Sequence, residues 1–319
     1  MIPGAVIPVS VITGFLGSGK TTLISRVLRD PAFARTAVIV NEFGEIALDH
    51  DLIEGGDETL LRLSTGCLCC AVRSDLVATL LDLAARRAAG EIDFVRVLIE
   101  TSGLADPAPI LHALMTDAGL AESFVLGSVV TLVDSLLGVA TLARHVEARR
   151  QVAFADRVVV TKTDLAPLAD GLLAAIAAGN PVAPVGVDVP DLAELFQPAE
   201  RVPGDGRVLH SEGVSVCLIR RVAPVPALAL TLLLEALAEQ CGARMLRFKG
   251  LFDVAEAPGR PAVVHAVQHV ISPVSFLDAW PGPDRTSRAV VIGMGIPRFF
   301  PARLLDAIGA EVADEMRRG

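Results

Sequence analysis

Tyrosine is absent from the 319-residue chain, tryptophan occurs once, and 12 phenylalanines complete the aromatic complement. Positive charge is thin as well: 28 Lys and Arg face 37 Asp and Glu, a formal net charge of -9. Basic residues never cluster beyond pairs such as Arg86-Arg87 and Arg149-Arg150. A nucleic-acid groove needs a basic stripe interleaved with stacking aromatics, so no nucleic-acid partner is expected. Long apolar runs are missing too, although mean hydropathy is +0.55. The nearest candidate for a membrane span, residues 171–187, is cut by Asn180, Pro181 and Pro184 and falls short of the ~20 residues a bilayer requires. No membrane partner is expected. No Lys or Arg precedes Lys20, so the basic start of a secretory signal is missing. The five cysteines are an odd set, three of them crowded at one place, and do not make a disulfide framework. A cytoplasmic, reducing setting is expected.

What is present is apolar material in short runs. Residues 5–13, 36–42, 94–100, 124–134 and 156–164 are near-continuous hydrophobic segments bounded by Gly, Asp or charge. Strands buried on both faces of a parallel sheet read this way. Helical patterns at 20–29, 74–89, 107–118 and about 138–151 separate them. This alternation predicts an α/β fold, a doubly wound and mostly parallel sheet. The texture changes at 196–213, which is rich in Pro, Gly and charge. Beyond it the pattern predicts strands at 214–221, 245–254, 262–270 and 288–295, with helices at about 226–241 and 301–316. The expected organisation is a first domain over 1–200, a linker over 201–212, and a smaller α+β domain over 213–319.

Residues 14–21, Gly-Phe-Leu-Gly-Ser-Gly-Lys-Thr, fit the phosphate-loop pattern G-x-x-x-x-G-K-[ST] and stand between a predicted strand and a predicted helix, the context the motif demands. Gly14, Gly17, Ser18 and Gly19 let consecutive N–H groups curl around phosphate oxygens, and the helix N-terminus adds partial positive charge. Lys20 is placed to reach the β- and γ-phosphates, Thr21 to ligate Mg2+, and Thr22 to complete the first turn. The strand ending at Glu100 runs into Thr101-Ser102-Gly103, which reads as a phosphate-sensing D-x-x-G segment with Glu in place of Asp. Glu100 would act on Mg2+, and the Gly103 N–H would meet the γ-phosphate. Thr161-Lys162-Thr163-Asp164 stands where a guanine-reading N-K-x-D element would fall. Asp164 would accept from the guanine N1–H and N2–H, groups adenine does not offer, and Lys162 would lie along the base. Thr161 keeps a hydroxyl where the usual Asn has an amide.

Cys67, Cys69 and Cys70 fall within four positions. If the segment is extended, C-x-C spacing puts Cys67 and Cys69 on one side, and Cys70 joins them only through a turn. Such a cluster supplies two or three thiolates to a tetrahedral ion and leaves a position open, which suits a carrier more than a closed structural site. The competing readings are small buried hydrophobes and a redox pair. Cys217, in a strand, and Cys241, at a helix end, read as core.

Taken together, Gly14 to Ile24, Asn41-Glu42-Phe43-Gly44-Glu45, Gly66 to Cys70, residues 99–107, 131–134 and 161–165, and the second-domain stretches 247–254 and 264–295 resemble the CobW family of P-loop GTPases, over essentially the whole chain. The resemblance implies a slow GTPase that binds GTP or GDP with Mg2+. It also implies a divalent transition metal, Zn2+ or Co2+, held at Cys67, Cys69 and Cys70 and delivered to a client metalloprotein or metal-cofactor pathway such as cobalamin synthesis. Glu42 would serve either Mg2+ or the transition metal, and a homodimer is compatible with this reading. Many relatives carry a His-rich run, whereas the six histidines here are dispersed. His265 and His269 would share one strand face. Two other readings stand beside this one: a zinc-homeostasis regulator with vestigial GTPase activity, and an ATPase or kinase of another P-loop branch with a structural thiol cluster.

Overall fold

The computed structural model describes residues 6–40, 60–62, 69–169, 171–181, 183–188, 191–197 and 214–318. Glu42 and Cys67 lie outside the described residues, as do the side chains of Cys69 and Cys70 and the whole of the expected linker.

Among the described residues the chain divides into two compact units, 1–173 with 183–199, and 174–182 with 200–319. In chain order the first unit begins with strand β1 (Ile7–Gly14), helix α1 (Lys20–Arg29), β2 (Thr36–Val40), β3 (Leu60–Arg62), α2 (Cys69–Ala88) and β4 (Arg96–Glu100). There follow α3 (Ala108–Thr116), α4 (Ala118–Ala121), β5 (Phe124–Asp134), α5 (Gly138–Arg144), α6 (Val146–Phe154) and β6 (Arg157–Thr161). The stretch ends with α7 (Leu172–Gly179), which from residue 174 is grouped with the second unit, and with β7 (Val185–Val187) and α8 (Leu192–Leu195) of the first. The seven strands lie in the order β3-β2-β4-β1-β5-β6-β7, and every pairing is parallel. The apolar runs explain this. β1 and β4 are buried almost throughout, as strands covered on both faces must be.

The sheet is more extended than the sequence suggested, because β3 and β7 have three residues each and are too short to show a period. The pattern at 138–151 also proves to be two helices. His145 adopts an extended conformation, with φ -111° and ψ 118°, and ends α5 before α6 begins. Arg149 Nη1 donates to the Leu142 and Ala143 carbonyls at 2.8 and 3.1 Å, satisfying the open end of α5. Neither Gly nor Pro marks this break.

The second unit contains β8 (Val214–Arg221), α9 (Ala227–Cys241), β9 (Met245–Phe252), β10 (Ala262–Val267), β11 (Val270–Ile271), β12 (Ser275–Phe276), β13 (Ser287–Met294) and α10 (Phe300–Arg318). Its antiparallel sheet runs β11-β10-β9-β13-β8, with β12 also on β10. Leu230, Leu233, Leu234, Leu237 and Cys241 recur at helical spacing along α9 and join Phe248, Phe252, Val264, Val291 and Leu305 in one buried cluster. The expectation that His265 and His269 share a strand face is overturned. Val267 pairs with Val270, and Gln268, with φ 52°, and His269 make the hairpin turn between them. The sequence Val-Gln-His-Val carries no Asn-Gly signal that would reveal such a turn.

Cys217 and Cys241 are buried, free and part of this core. Burial pushes the Cys217 thiol up to about 11, the nearby Cys241 adds to the effect, and Arg298 opposes it. Burial also raises the Cys241 thiol. The reactive form of a thiol is the thiolate, so both should resist iodoacetamide at pH 8 in the folded protein and react only after unfolding. Site mapping by mass spectrometry tests this, and modification of either residue in the folded chain would contradict it.

Candidate functional site

Residues 14–19 form a loop between β1 and α1, at the carboxyl edge of the sheet. Gly14 closes β1 with φ 145°, and a Cβ there would lie 2.5 Å from the Leu132 carbonyl oxygen and 2.6 Å from Ser18 Oγ. No side chain fits. Gly17 and Gly19 are also at positive φ. Lys20 opens α1 and is only 8% exposed; its Nζ donates to the Gly14 and Phe15 carbonyls at 2.9 and 3.2 Å. The ammonium therefore sits inside the loop. Ser18 Oγ is buried with no hydrogen-bond partner among the described residues. Thr22 is exposed in the first turn of α1.

The parallel register of β1 with β4 places Ile12 opposite Glu100. Glu100 is thereby carried to the foot of α1, where Thr21 Oγ1 donates to its Oε1 at 3.1 Å. The structure brings together the two residues that the sequence pairs for Mg2+. Beyond β4, Thr101 N–H donates to the Ile12 carbonyl at 2.9 Å, and Ala105 N–H closes a turn on Ser102. Gly103 lies against the phosphate loop so closely that a Cβ would meet Leu16 N at 2.7 Å. These contacts join the acidic strand end to the loop.

The far side of the loop is braced by β6. Thr161 Oγ1 donates to the Ser18 carbonyl at 2.8 Å, so the hydroxyl standing in place of an amide has a structural task. Lys162 is one of the few non-glycine residues in the left-handed region, with φ 61°. That conformation costs on the order of 1 kcal/mol or more and persists only where surroundings impose it. Ser135 Oγ and the Leu165 N–H both donate to the Lys162 carbonyl, and Lys162 Nζ stands 3.7 Å from Asp134 Oδ2. Asp164 is exposed just beyond. Two residues in this arrangement received no role from the sequence, Asp134 and Gln151. Asp134 ends the apolar strand β5 as Glu100 ends β4, a signal open to reading; Gln151 on α6 gave no local sign.

The cysteine motif is described only in part. The expected helix start at 74 is corrected: α2 begins five residues earlier, with Cys69 and Cys70 as its first two residues, so the condition of an extended segment is not met at that end. Among the described residues no three His, Cys, Asp or Glu side chains converge as a metal site.

The groups present fit a nucleotide. A buried ammonium, an unpartnered hydroxyl and a helix N-terminus surround the loop and suit phosphate oxygens. Thr21 and Glu100 offer only oxygen donors, as Mg2+ prefers.

Residues 8–184 match the CobW/HypB/UreG nucleotide-binding domain, and residues 214–308 match the cobalamin synthesis protein cobW C-terminal domain. The chain belongs to the CobW/HypB/UreG family. It is 33% identical over 304 residues to the zinc chaperone YjiA of Escherichia coli K12, covering 91% of this chain and 95% of that protein. It is 36% identical over 185 residues to the zinc-regulated GTPase metalloprotein activator 1 of Saccharomyces cerevisiae, covering 50% of this chain and 41% of that one. The crystal structure of Zn(II)-bound YjiA GTPase from E. coli matches with a TM-score of 0.73 at 27% identity, covering 95% of this chain and 99% of that one. Among the described residues of this CobW-family chain, no helix is long and apolar enough to cross a membrane.

Gly14→Ala tests the loop. The added methyl should displace Leu132 or Ser18, lower stability by about 1–3 kcal/mol and weaken GDP binding by tenfold or more, read by thermal melting and fluorescent-nucleotide titration. Unchanged melting and binding would contradict the packing described.

Proposed function

We propose that this CobW-family chain is a GTP-hydrolysing metallochaperone that takes zinc at Cys67, Cys69 and Cys70 and passes it to a client metalloprotein. The chain is a GTPase with a nucleotide-binding domain of this family, and its relatives are named as zinc chaperones and a metalloprotein activator. The finer statements are that the three thiolates are the metal ligands, that nucleotide state controls their affinity, and that the metal goes to a client.

One observation carries this reading. Val40, at the end of β2, pairs with both Glu100 and Arg62, so β2, β3 and β4 end in line at the carboxyl edge. With strands about 4.8 Å apart, the end of β3 lies roughly 10 Å from Glu100. The last strand before the cysteines thus ends two strands from Glu100, on the edge that carries the phosphate-sensing segment of this reading. A helix N-terminus favours negative charge, which suits thiolate ligands at Cys69 and Cys70.

Within this reading Lys20 neutralises charge on the β- and γ-phosphates, and its loop carbonyls yield it to them. Thr21 and Glu100 would hold Mg2+, which supplies further charge neutralisation there. The Gly103 N–H donates to the terminal phosphate, drawing the 100–105 segment toward the loop. Gly14, Gly17, Ser18, Gly19 and Thr22 line the phosphate path, while Thr161 and Lys162 set the base end and Asp164 reads guanine. Glu42 belongs to the segment leaving β2 and would complete either the Mg2+ or the zinc site. Co2+ at the thiolates is the second cargo of this reading, because affinity order favours Zn2+ while supply and client decide. No glutamine follows Gly103, so slow intrinsic hydrolysis is expected.

Competitive zinc titration with a chromophoric chelator tests the coupling. A non-hydrolysable GTP analogue with Mg2+ should tighten zinc binding about 5–150-fold relative to GDP, the usual range of allosteric coupling, and Cys69→Ser should abolish the difference. Equal affinities in both nucleotide states would favour the regulator with a vestigial GTPase.

A further inference from the structure

Gln151 is fully buried on α6, at 0% exposure, and lies 48 residues in sequence from the segment it touches. Its Nε2 donates to the Gly103 carbonyl and to the Ala105 carbonyl, both at 3.1 Å. Two carbonyl acceptors can be served only by the amide nitrogen, which fixes the orientation of the side chain. Both amide hydrogens are thereby spent on one turn. The neighbouring Arg150 holds the same turn from its next residue, with Nη2 at 2.8 Å from Asp106 Oδ2. Gln151 itself is anchored by its own carbonyl, which accepts from Thr131 Oγ1 of β5 at 2.8 Å. With Ser18 of the phosphate loop and Asp134 of β5, Gln151 also lines a cavity of about 20 Å³, room for one water molecule.

We propose that Gln151 is a positioning residue for GTP hydrolysis: it acts through Gly103, tethering the 103–105 turn to α6 and so fixing where the Gly103 N–H stands over the phosphate loop. The inference rests on the reading of 100–103 as the phosphate-sensing segment. Packing alone does not require an amide here. A buried methionine would fill the same space, but it would leave two backbone carbonyls without their donors. The glycine has no Cβ to lock its own orientation, so the outside donor fixes the Gly103–Leu104 peptide plane, and through the Gly103 dihedrals limits where the Gly103 N–H can point. Binding of nucleotide through the loop, Lys20 and the base end does not depend on this turn.

The test combines Gln151→Met, Gln151→Glu and Gly103→Ala, with GTP turnover and GDP affinity measured from pH 6 to pH 8.5. Loss of two hydrogen bonds to the segment should lower kcat of Gln151→Met about tenfold or more, with GDP affinity within about threefold of the parent. Gln151→Glu adds a signature that a packing role would not produce. A carboxylate facing two carbonyls is disfavoured, so this side chain stays protonated to unusually high pH and can then donate to one of them. Its turnover should approach the parent value at low pH and fall as pH rises and the proton leaves, while GDP affinity stays level. A Gln151→Glu deficit that is the same at every pH, or one matched by an equal loss of GDP affinity, would overturn the proposal. So would full turnover in both variants while Gly103→Ala is impaired. If Gly103→Ala itself turns over normally, the phosphate-sensing reading fails, and the positioning role fails with it.

Discussion

The register of one parallel strand pair sets the rest of this site. With Ile12 opposite Glu100, a carboxylate buried at the end of β4 comes within hydrogen-bonding distance of Thr21 in the first turn of α1. Slipping the pair by one residue would turn Glu100 to the other face of the sheet and separate it from Thr21. The same alignment brings Gly103 onto Leu16 and, through β2, sets the ends of β2 and β3 beside it. The phosphate loop, the 101–105 turn and the end of β3 therefore share one edge, where ligands of open parallel sheets bind.

The phosphate loop is braced from several directions. Thr161 holds the Ser18 carbonyl, and Lys162 is kept in a left-handed conformation beside Asp134. Gly103 closes against Leu16. On the other side of that turn, α6 supplies Gln151 and Arg150. The braces come from the ends of β4, β5 and β6 and from α6. The loop itself is held by backbone packing and by the Thr161 hydroxyl, whereas the 103–106 turn is held by the Gln151 amide and the Arg150 guanidinium.

Much of this was legible in the sequence where the signal was local. The phosphate loop is a strand-turn-helix motif whose glycines and lysine are contiguous, and the acidic end of β4 follows an unbroken apolar run. The family's cysteine motif was equally plain. Elsewhere the signal was tertiary and the sequence was silent. Gln151 sits on an ordinary helix, and its value comes from a turn almost fifty positions earlier. β3 is too short to have a period, and the break at His145 depends on Arg149 reaching back to the α5 carbonyls. The early start of α2 went unread because Cys69-Cys70-Ala71-Val72 carries no capping residue or charged first turn. The turn at Gln268 and His269 was hidden for the same kind of reason. Asp134 could have been found by the rule that identified Glu100, applied once more to β5.

The central claim is that occupancy of the triphosphate end and the state of the cysteine segment are linked through the chain ends at this edge. Amide hydrogen exchange, followed by mass spectrometry on zinc-free protein with GDP and with a non-hydrolysable GTP analogue, addresses it directly. The account predicts slower exchange at 100–106 in the analogue-bound state, accompanied by slower exchange over 60–76. Protection confined to 100–106, with 60–76 exchanging at the same rate in both states, would contradict it.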